Sequence, residues 1–237
     1  MNITEVLSRL KSQEDISCPR LDFHIHTNWT DGANSIQEMY DAASRIGLDA
    51  ILYSEHVRAS SGVWYPDFVS KVKSLPDDPC RAFVGAETKI LNFEGDMDCP
   101  DEVFVHADAI MGVVHRFPGE TDAMLASSDK GLASEAIDIE FDLSKTIMRS
   151  GLVHILGHPM GMSMRRFGLK PKRSIFEELA QEAAKTGVCF EINSRYHTDV
   201  AFLFEICSSK NAPISLGSNA HSVEEIGEIT RELEYDL

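Results

Sequence analysis

Short apolar runs alternate with helix-period segments along nearly the whole chain, and this rhythm limits the possible folds more than any other feature. Residues 20–23, 50–53, 82–86, 109–114, 152–156, 188–192 and 213–216 read as strands. Between them lie amphipathic stretches. In SIQEMYDAASRIG, Ser35 and Glu38 form a capping box and Gly47 stops the helix. SKTIMRSG and SIFEELAQEAAKTG also end in glycine, and TDVAFLFEICSSKN opens on a Thr198 cap. Strand followed by helix, repeated about seven times, predicts an α/β fold with a parallel sheet. About seven such units in one uninterrupted chain fit a closed or nearly closed β/α barrel better than an open doubly wound sheet, and the absence of a glycine-rich phosphate loop after the first strand counts modestly the same way. The expected organisation is one barrel domain over 19–237, with residues 1–18 as an amphipathic helix packed outside it. The segment FPGETDAMLASSDKGLASEAID is the longest loop-like insertion.

Composition narrows the partners. Lysine and arginine total 22 against 38 aspartates and glutamates, a formal charge of −16, and such a surface repels a phosphate backbone. Extended nucleic acid is therefore excluded as the main partner, although a bound divalent cation can still hold a small anion locally. No stretch approaches the roughly 20 apolar residues of a membrane span, and MNITEVLSRLKSQED lacks a secretory pattern. A cytoplasmic protein without membrane contact is expected, its oligomeric state open. The five cysteines, Cys18, Cys80, Cys99, Cys189 and Cys207, are widely spaced and form no C-x-x-C pair, so neither disulfides nor a zinc ribbon is implied.

The chemistry collects after the strands. Strand one delivers His24 and His26, which share a face because side chains alternate, and Asp31 and Gly32 then read as a turn. The later strand ends bring Glu55 and His56, Glu87, His115, His158, Glu191 and Asn193, and Asn219 and His221. In a β/α barrel these ends lie on one face, where active sites sit. A lone histidine at a strand end is more often structural than a ligand, but six of the nine histidines occupy such ends. Imidazoles with carboxylates suit zinc, manganese or iron, and Glu87, the only carboxylate at the end of strand three, is the natural bridge between two ions.

The ordered set HIHT with DG five residues on, SEH, GAE, GVVH, GHP and GSNAH resembles the PHP family, the polymerase and histidinol phosphatase superfamily, over about residues 20–222. The resemblance implies a distorted (β/α)7 barrel holding two or three divalent ions (Mn, Fe or Zn) and hydrolysing phosphate esters. Carried over by position, it implies one ion on His24, His26, Glu87 and Asn219, a second on Glu87, His115 and His158, and a third on Asp31, His56 and His221. Glu87, Asp31 and His221 are the residues expected to serve catalysis. The chain departs from the family pattern at Asn219, where D-x-H is usual: an amide oxygen can ligate but brings no charge. Glu55 stands where aspartate is usual and is expected to bond a ligand imidazole.

Substrate contacts are expected from Arg165 and Arg166, after GHPMGMSM, from Arg195, after EINS, and from Asn193, because an arginine fork suits phosphate. His106 reads as a surface residue, His154 as a core histidine, and His197 as a neighbour of the site; Trp64 and Tyr65 read as packing residues. The expected activity is metal-dependent hydrolysis of a small phosphate monoester. A catalytically attenuated metal-binding module, a phosphodiesterase and a phosphotyrosine phosphatase are the alternatives.

Overall fold

The computed structural model describes residues 20–120 and 135–236. The expected helix over 1–18 and most of the long insertion lie outside the described residues. Seven strands run in chain order and all in parallel: β1 (Leu21–Ile25), β2 (Ala50–Tyr53), β3 (Arg81–Lys89), β4 (Ala109–Val113), β5 (Ile155–Leu156), β6 (Cys189–Asn193) and β7 (Ile214–Gly217). The His26 N–H donates to Ala220 O at 2.8 Å and the Ala220 N–H to His24 O at 3.0 Å, so the last strand's extension meets the first. The sheet therefore nearly closes into the barrel that the βα rhythm predicts.

Helices α1 (Ile36–Arg45), α2 (Tyr65–Lys73), α3 (Asp101–His106), α4 (Ala136–Arg149), α5 (Gly161–Arg165), α6 (Arg173–Thr186), α7 (Val200–Ser209) and α8 (Glu228–Asp236) connect and flank the strands. The Ser35–Glu38 capping box is present at α1. At α7 the cap is Asp199 rather than Thr198: the carboxylate accepts the Phe202 N–H at 2.9 Å, a role the neighbouring threonine was expected to fill. Strand five is also shorter than its apolar run. Gly151 takes a positive φ of 72° and Leu152 is 40% exposed, so pairing begins only at Ile155. His154 is consequently exposed, its Nδ1 accepting the Ile110 N–H at 3.1 Å, and is not a core residue.

Two apolar layers result. Leu21, Phe23, Leu52, Phe83, Met111 and Ile155, all from strands, form one cluster that plugs the barrel interior. The opposite strand faces and the helices form the other. Each fully buried side chain of this size contributes roughly 1.5–3 kcal/mol. The interior plug matters most for function, because it is the platform beneath the strand ends.

Candidate metal centre

The inward phase of the strands runs directly from apolar plug to polar site. Along β2 and its extension Leu52 is followed two and four residues on by Ser54 and His56; along β3 Phe83 leads to Gly85 and Glu87; along β4 Met111 leads to Val113 and His115. Backbone bonds from the Glu87 N–H to Glu55 O and from the Val57 N–H to Glu87 O, both 2.9 Å, set His56 beside Glu87. On β1 the phase changes. The pairing slips between Asp22 and Ile25, so after Leu21 and Phe23 the inward positions become His24 and His26, while Ile25 joins the outer core. Asp22 fills the irregularity, accepting N–H groups from Ser218 at 2.9 Å, Gly227 at 2.8 Å and His24 at 3.3 Å. His158 reaches the site by another device, a positive φ of 27° just past β5.

Glu87 is the centre of the result. Its Oε1 lies 3.1 Å from His158 Nε2 and 3.4 Å from both His24 Nε2 and His115 Nε2, and its Oε2 meets His56 Nδ1. His24 Nε2 is 3.1 Å from His26 Nε2. At the mouth, Asp31 Oδ2 stands 3.3 Å from both His56 Nε2 and His221 Nε2. Three sets of nearby donor atoms emerge: His24, His26 and Glu87; His56, Glu87 and His115; and His26, Asp31, His56 and His221. His56 joins Glu87 and His115 in the second set, and His158 Nε2, expected there with them, lies 3.1 Å from the same Glu87 Oε1 that His115 approaches.

These donors fit divalent cations for a reason visible in their hydrogen bonds. His24 donates from Nδ1 to Glu191 Oε1 at 2.7 Å, and His221 donates from Nδ1 to Asn219 O at 2.9 Å. With Nδ1 so engaged, each ring turns its Nε2 to the site, one toward Glu87 and His26, the other toward the Asp31 carboxylate. Lone pairs facing one another require protons or a cation between them. His26 Nδ1 and Asn219 Oδ1 are moreover buried without a hydrogen-bond partner. Without a cation, protons take that role: burial would lower the His24 pKa, but Glu191 and Glu87 outweigh it and raise it to about 10. Burial likewise favours a neutral Glu87, yet His115 and His56 hold its carboxyl well below the usual range. His26, buried beside a charged His24, is held well below the ordinary imidazole range.

The supporting residues differ from sequence expectation. Glu55 bonds no imidazole. Its carboxylate accepts the Thr27 N–H at 2.8 Å, the Thr27 hydroxyl at 2.6 Å and the Thr30 hydroxyl, so it braces the loop that carries Asp31. The residue that does orient a ligand imidazole is Glu191, which also accepts the His158 N–H through Oε2. Gly217 makes room for it, since a Cβ there would lie 2.6 Å from His24 Cβ. Asn193 donates to Glu191 Oε1 at 3.0 Å and is fully buried, a position that supports Glu191. His197 accepts the Asn193 N–H at Nδ1 and donates from Nε2 to Pro159 O; burial lowers its pKa to about 4 and keeps it neutral.

Above the site, a cavity of about 180 Å³ is lined by His115, His158, Met162, Arg165, Arg166 and Tyr196, among others. Tyr196, which no sequence signal singled out, stacks on His158 with centroids 4.2 Å apart, and Arg165 lies over the same ring. Arg166 pairs with Glu120 at 2.7 Å and Arg195 with Glu225 at 3.2 Å, so both carry an internal counter-charge. Tyr65, fully buried, donates to Gly85 O, and Trp64 packs on Trp29 and Phe68, as packing residues would.

Comparison with known proteins agrees with this geometry. The profile of the PHP domain matches residues 22–195. A probable phosphatase of Syntrophotalea carbinolica is 25% identical, the match covering 87% of this chain and 82% of that protein. The DNA polymerase/3'-5' exonuclease PolX of Bacillus subtilis is 22% identical over 86% of this chain but only 34% of its own length. Among solved structures, histidinol phosphate phosphatase from Lactococcus lactis subsp. lactis, complexed with zinc, L-histidinol and phosphate, superposes with a TM-score of 0.62 over 91% of this chain and 92% of its own, at 18% identity.

Proposed function

This chain belongs to the PHP domain family, and from that premise we propose that it is a metal-dependent phosphoesterase acting on a small phosphate monoester. The observation that carries the reading is the set of imidazoles and carboxylates, drawn from separate strands, whose bare donor atoms face one another around Glu87 and Asp31. Divalent ions bound there would supply positive charge against the phosphoryl oxygens and lower the pKa of a water.

The chain's own residues do the rest. His24, His26, Glu87 and the buried Asn219 oxygen are suited to hold one ion; His56 and His115 with Glu87 a second; Asp31, His56 and His221 a third. Arg165 projects into the small cavity and is the cation to receive the phosphoryl oxygens, with Tyr196 as its backing. Asp31 and His221, at the mouth, would act through the third ion they hold, which would supply further positive charge to the phosphoryl group. The named activity of the Syntrophotalea relative and the ligands of the Lactococcus neighbour support a phosphomonoester. The −16 charge speaks against a nuclease role like that in the name of the Bacillus protein.

The test is phosphate release from p-nitrophenyl phosphate by protein supplied with Mn, Fe(II) or Zn, with bound metal measured in parallel. Wild type turns over, while Glu87→Ala and His24→Ala lose both metal and turnover; equal rates in all three would refute the reading. Asn219→Asp examines the attenuated alternative. A large gain in metal content and rate would mean the native site is weakened by its amide ligand, and little change would dismiss that idea.

A further inference from the structure

A second cavity, of about 540 Å³, lies between the segment after β5 and the segment after β6. It touches none of the metal-binding side chains, but it shares Arg165 and Tyr196 with the small cavity above the metal centre. Ligand pockets span roughly 300–1,000 Å³. The larger space falls within that range and the 180 Å³ space below it, so the smaller suits a phosphoryl group and the larger the organic part of an ester.

Its walls define the chemistry. Met164, Leu169, Phe176, Phe202 and Leu203 make an apolar side. Arg165 and Lys170 bring positive charge, Arg195 being paired with Glu225, and the one carboxylate of the lining, Asp199, caps α7 through the Phe202 N–H at 2.9 Å. His197, on the same wall, is kept neutral by burial. Arg165 points its Nη1 at Arg195 O, which ties the two loops together at the junction between the cavities. A net cationic pocket in a chain of charge −16 is a local reversal of sign. Electrostatic complementarity of this kind selects among ligands more than it adds raw affinity.

We propose that this cavity is the leaving-group pocket and that it selects phosphomonoesters whose organic part is apolar and carries a second anionic group, over esters carrying an amine. The inference rests on the phosphoesterase reading. The phosphoryl group occupies the small cavity, the ester oxygen passes Tyr196 and Arg165, and the apolar body lies on Leu169 and Phe202 with its anion toward Lys170.

Three aryl esters test it: 4-carboxyphenyl phosphate, phenyl phosphate and 4-(aminomethyl)phenyl phosphate. Wild-type kcat/KM is expected to favour the carboxylate over the amine by about tenfold. Lys170→Glu should shrink that ratio by roughly fivefold, the effect of about 1 kcal/mol of exposed charge interaction. Leu169→Trp, which fills the apolar side, should raise KM for all three esters about tenfold while leaving inhibition by inorganic phosphate unchanged. A wild-type ratio near one, or a Leu169→Trp protein with unaltered KM, overturns the proposal and leaves the phosphoesterase reading intact. If no ester is hydrolysed, that reading fails first, and calorimetric binding of (4-carboxyphenyl)phosphonate still decides the pocket. Binding weakened by both substitutions supports it, and binding indifferent to them, or none, overturns it.

Discussion

The floor and the mouth of the metal centre are built from the same residue types but held by different means. On the floor, Glu87, His24 and His26 have no exposed surface and His158 has 2%. The backbones of His24 and Glu87 belong to β1 and β3, the His26 N–H bonds to Ala220 O just past β7, and Glu191 fixes both the His24 ring and the His158 N–H. At the mouth the Asp31 side chain is 53% exposed and those of His56 and His221 are 23% exposed. Asp31 depends on a loop whose geometry comes from the Gly32 N–H donating to Thr27 O, the Ala33 N–H to His221 O, and the Glu55 carboxylate beneath Thr27 and Thr30. Strand-borne donors are in place before a cation arrives, whereas loop-borne donors spend part of the binding energy on ordering the loop. The floor should therefore bind tightly and set the chemistry, and the mouth should bind weakly and tune it.

The comparison can be broken most sharply at Glu87. Its removal takes the shared carboxylate from two of the three donor sets, so Glu87→Ala should lower kcat/KM on the order of 10³-fold and strip the tightly held metal. Glu191→Gln comes next. The amide can still accept from His24, but its NH₂ then opposes the His158 N–H, and metal affinity should fall by roughly 10–100-fold without loss of the fold, as measured by metal titration alongside circular dichroism. Asp31→Asn should cost less, about fivefold to tenfold in rate, with one weakly bound equivalent lost and the tight metal retained. Were Asp31→Asn to empty the whole centre as Glu87→Ala does, floor and mouth would be a single cooperative unit and the distinction drawn here would fall.

What the sequence could convey follows the same division. Pleat alternation correctly put His24 and His26 on one face, because both lie beyond the slip in pairing, though the slip itself, which turns that face inward, left no mark in the residue pattern. His56, Glu87 and His115 were legible as uninterrupted continuations of inward phases. Glu55 was misread because the direction of a carboxylate at a strand end is decided by the loop that folds over it, here Thr27 and Thr30. Glu191 stood at an inward strand end in plain view, yet its partner His24 lies 167 residues away, and no local spacing encodes such a pair. Arg166 and Arg195 carry the right chemistry for phosphate, but their counter-charges Glu120 and Glu225 come from other loops.

The smallest expected effect sharpens the comparison from beneath the floor. Glu140, buried in α4, accepts the Met162 N–H at 2.9 Å and the Ser163 N–H at 2.6 Å, anchoring the start of α5 just after His158. Burial raises its pKa to about 7 against these hydrogen bonds. The folded protein therefore keeps a proton that the unfolded chain releases near its ordinary carboxyl pKa. The associated stability is fully present below about pH 4.5 and is lost as pH rises through about 7. Glu140→Gln cannot ionise, so its stability should lack this decline, by about 2 kcal/mol between pH 5 and pH 8, while kcat/KM changes less than about twofold. Urea melts of both proteins in chelator at pH 5, 6.5 and 8 read the difference. Parallel pH profiles would show that Glu140 is ionised throughout by its two backbone donors, and that the floor's support is as rigidly charged as the floor itself.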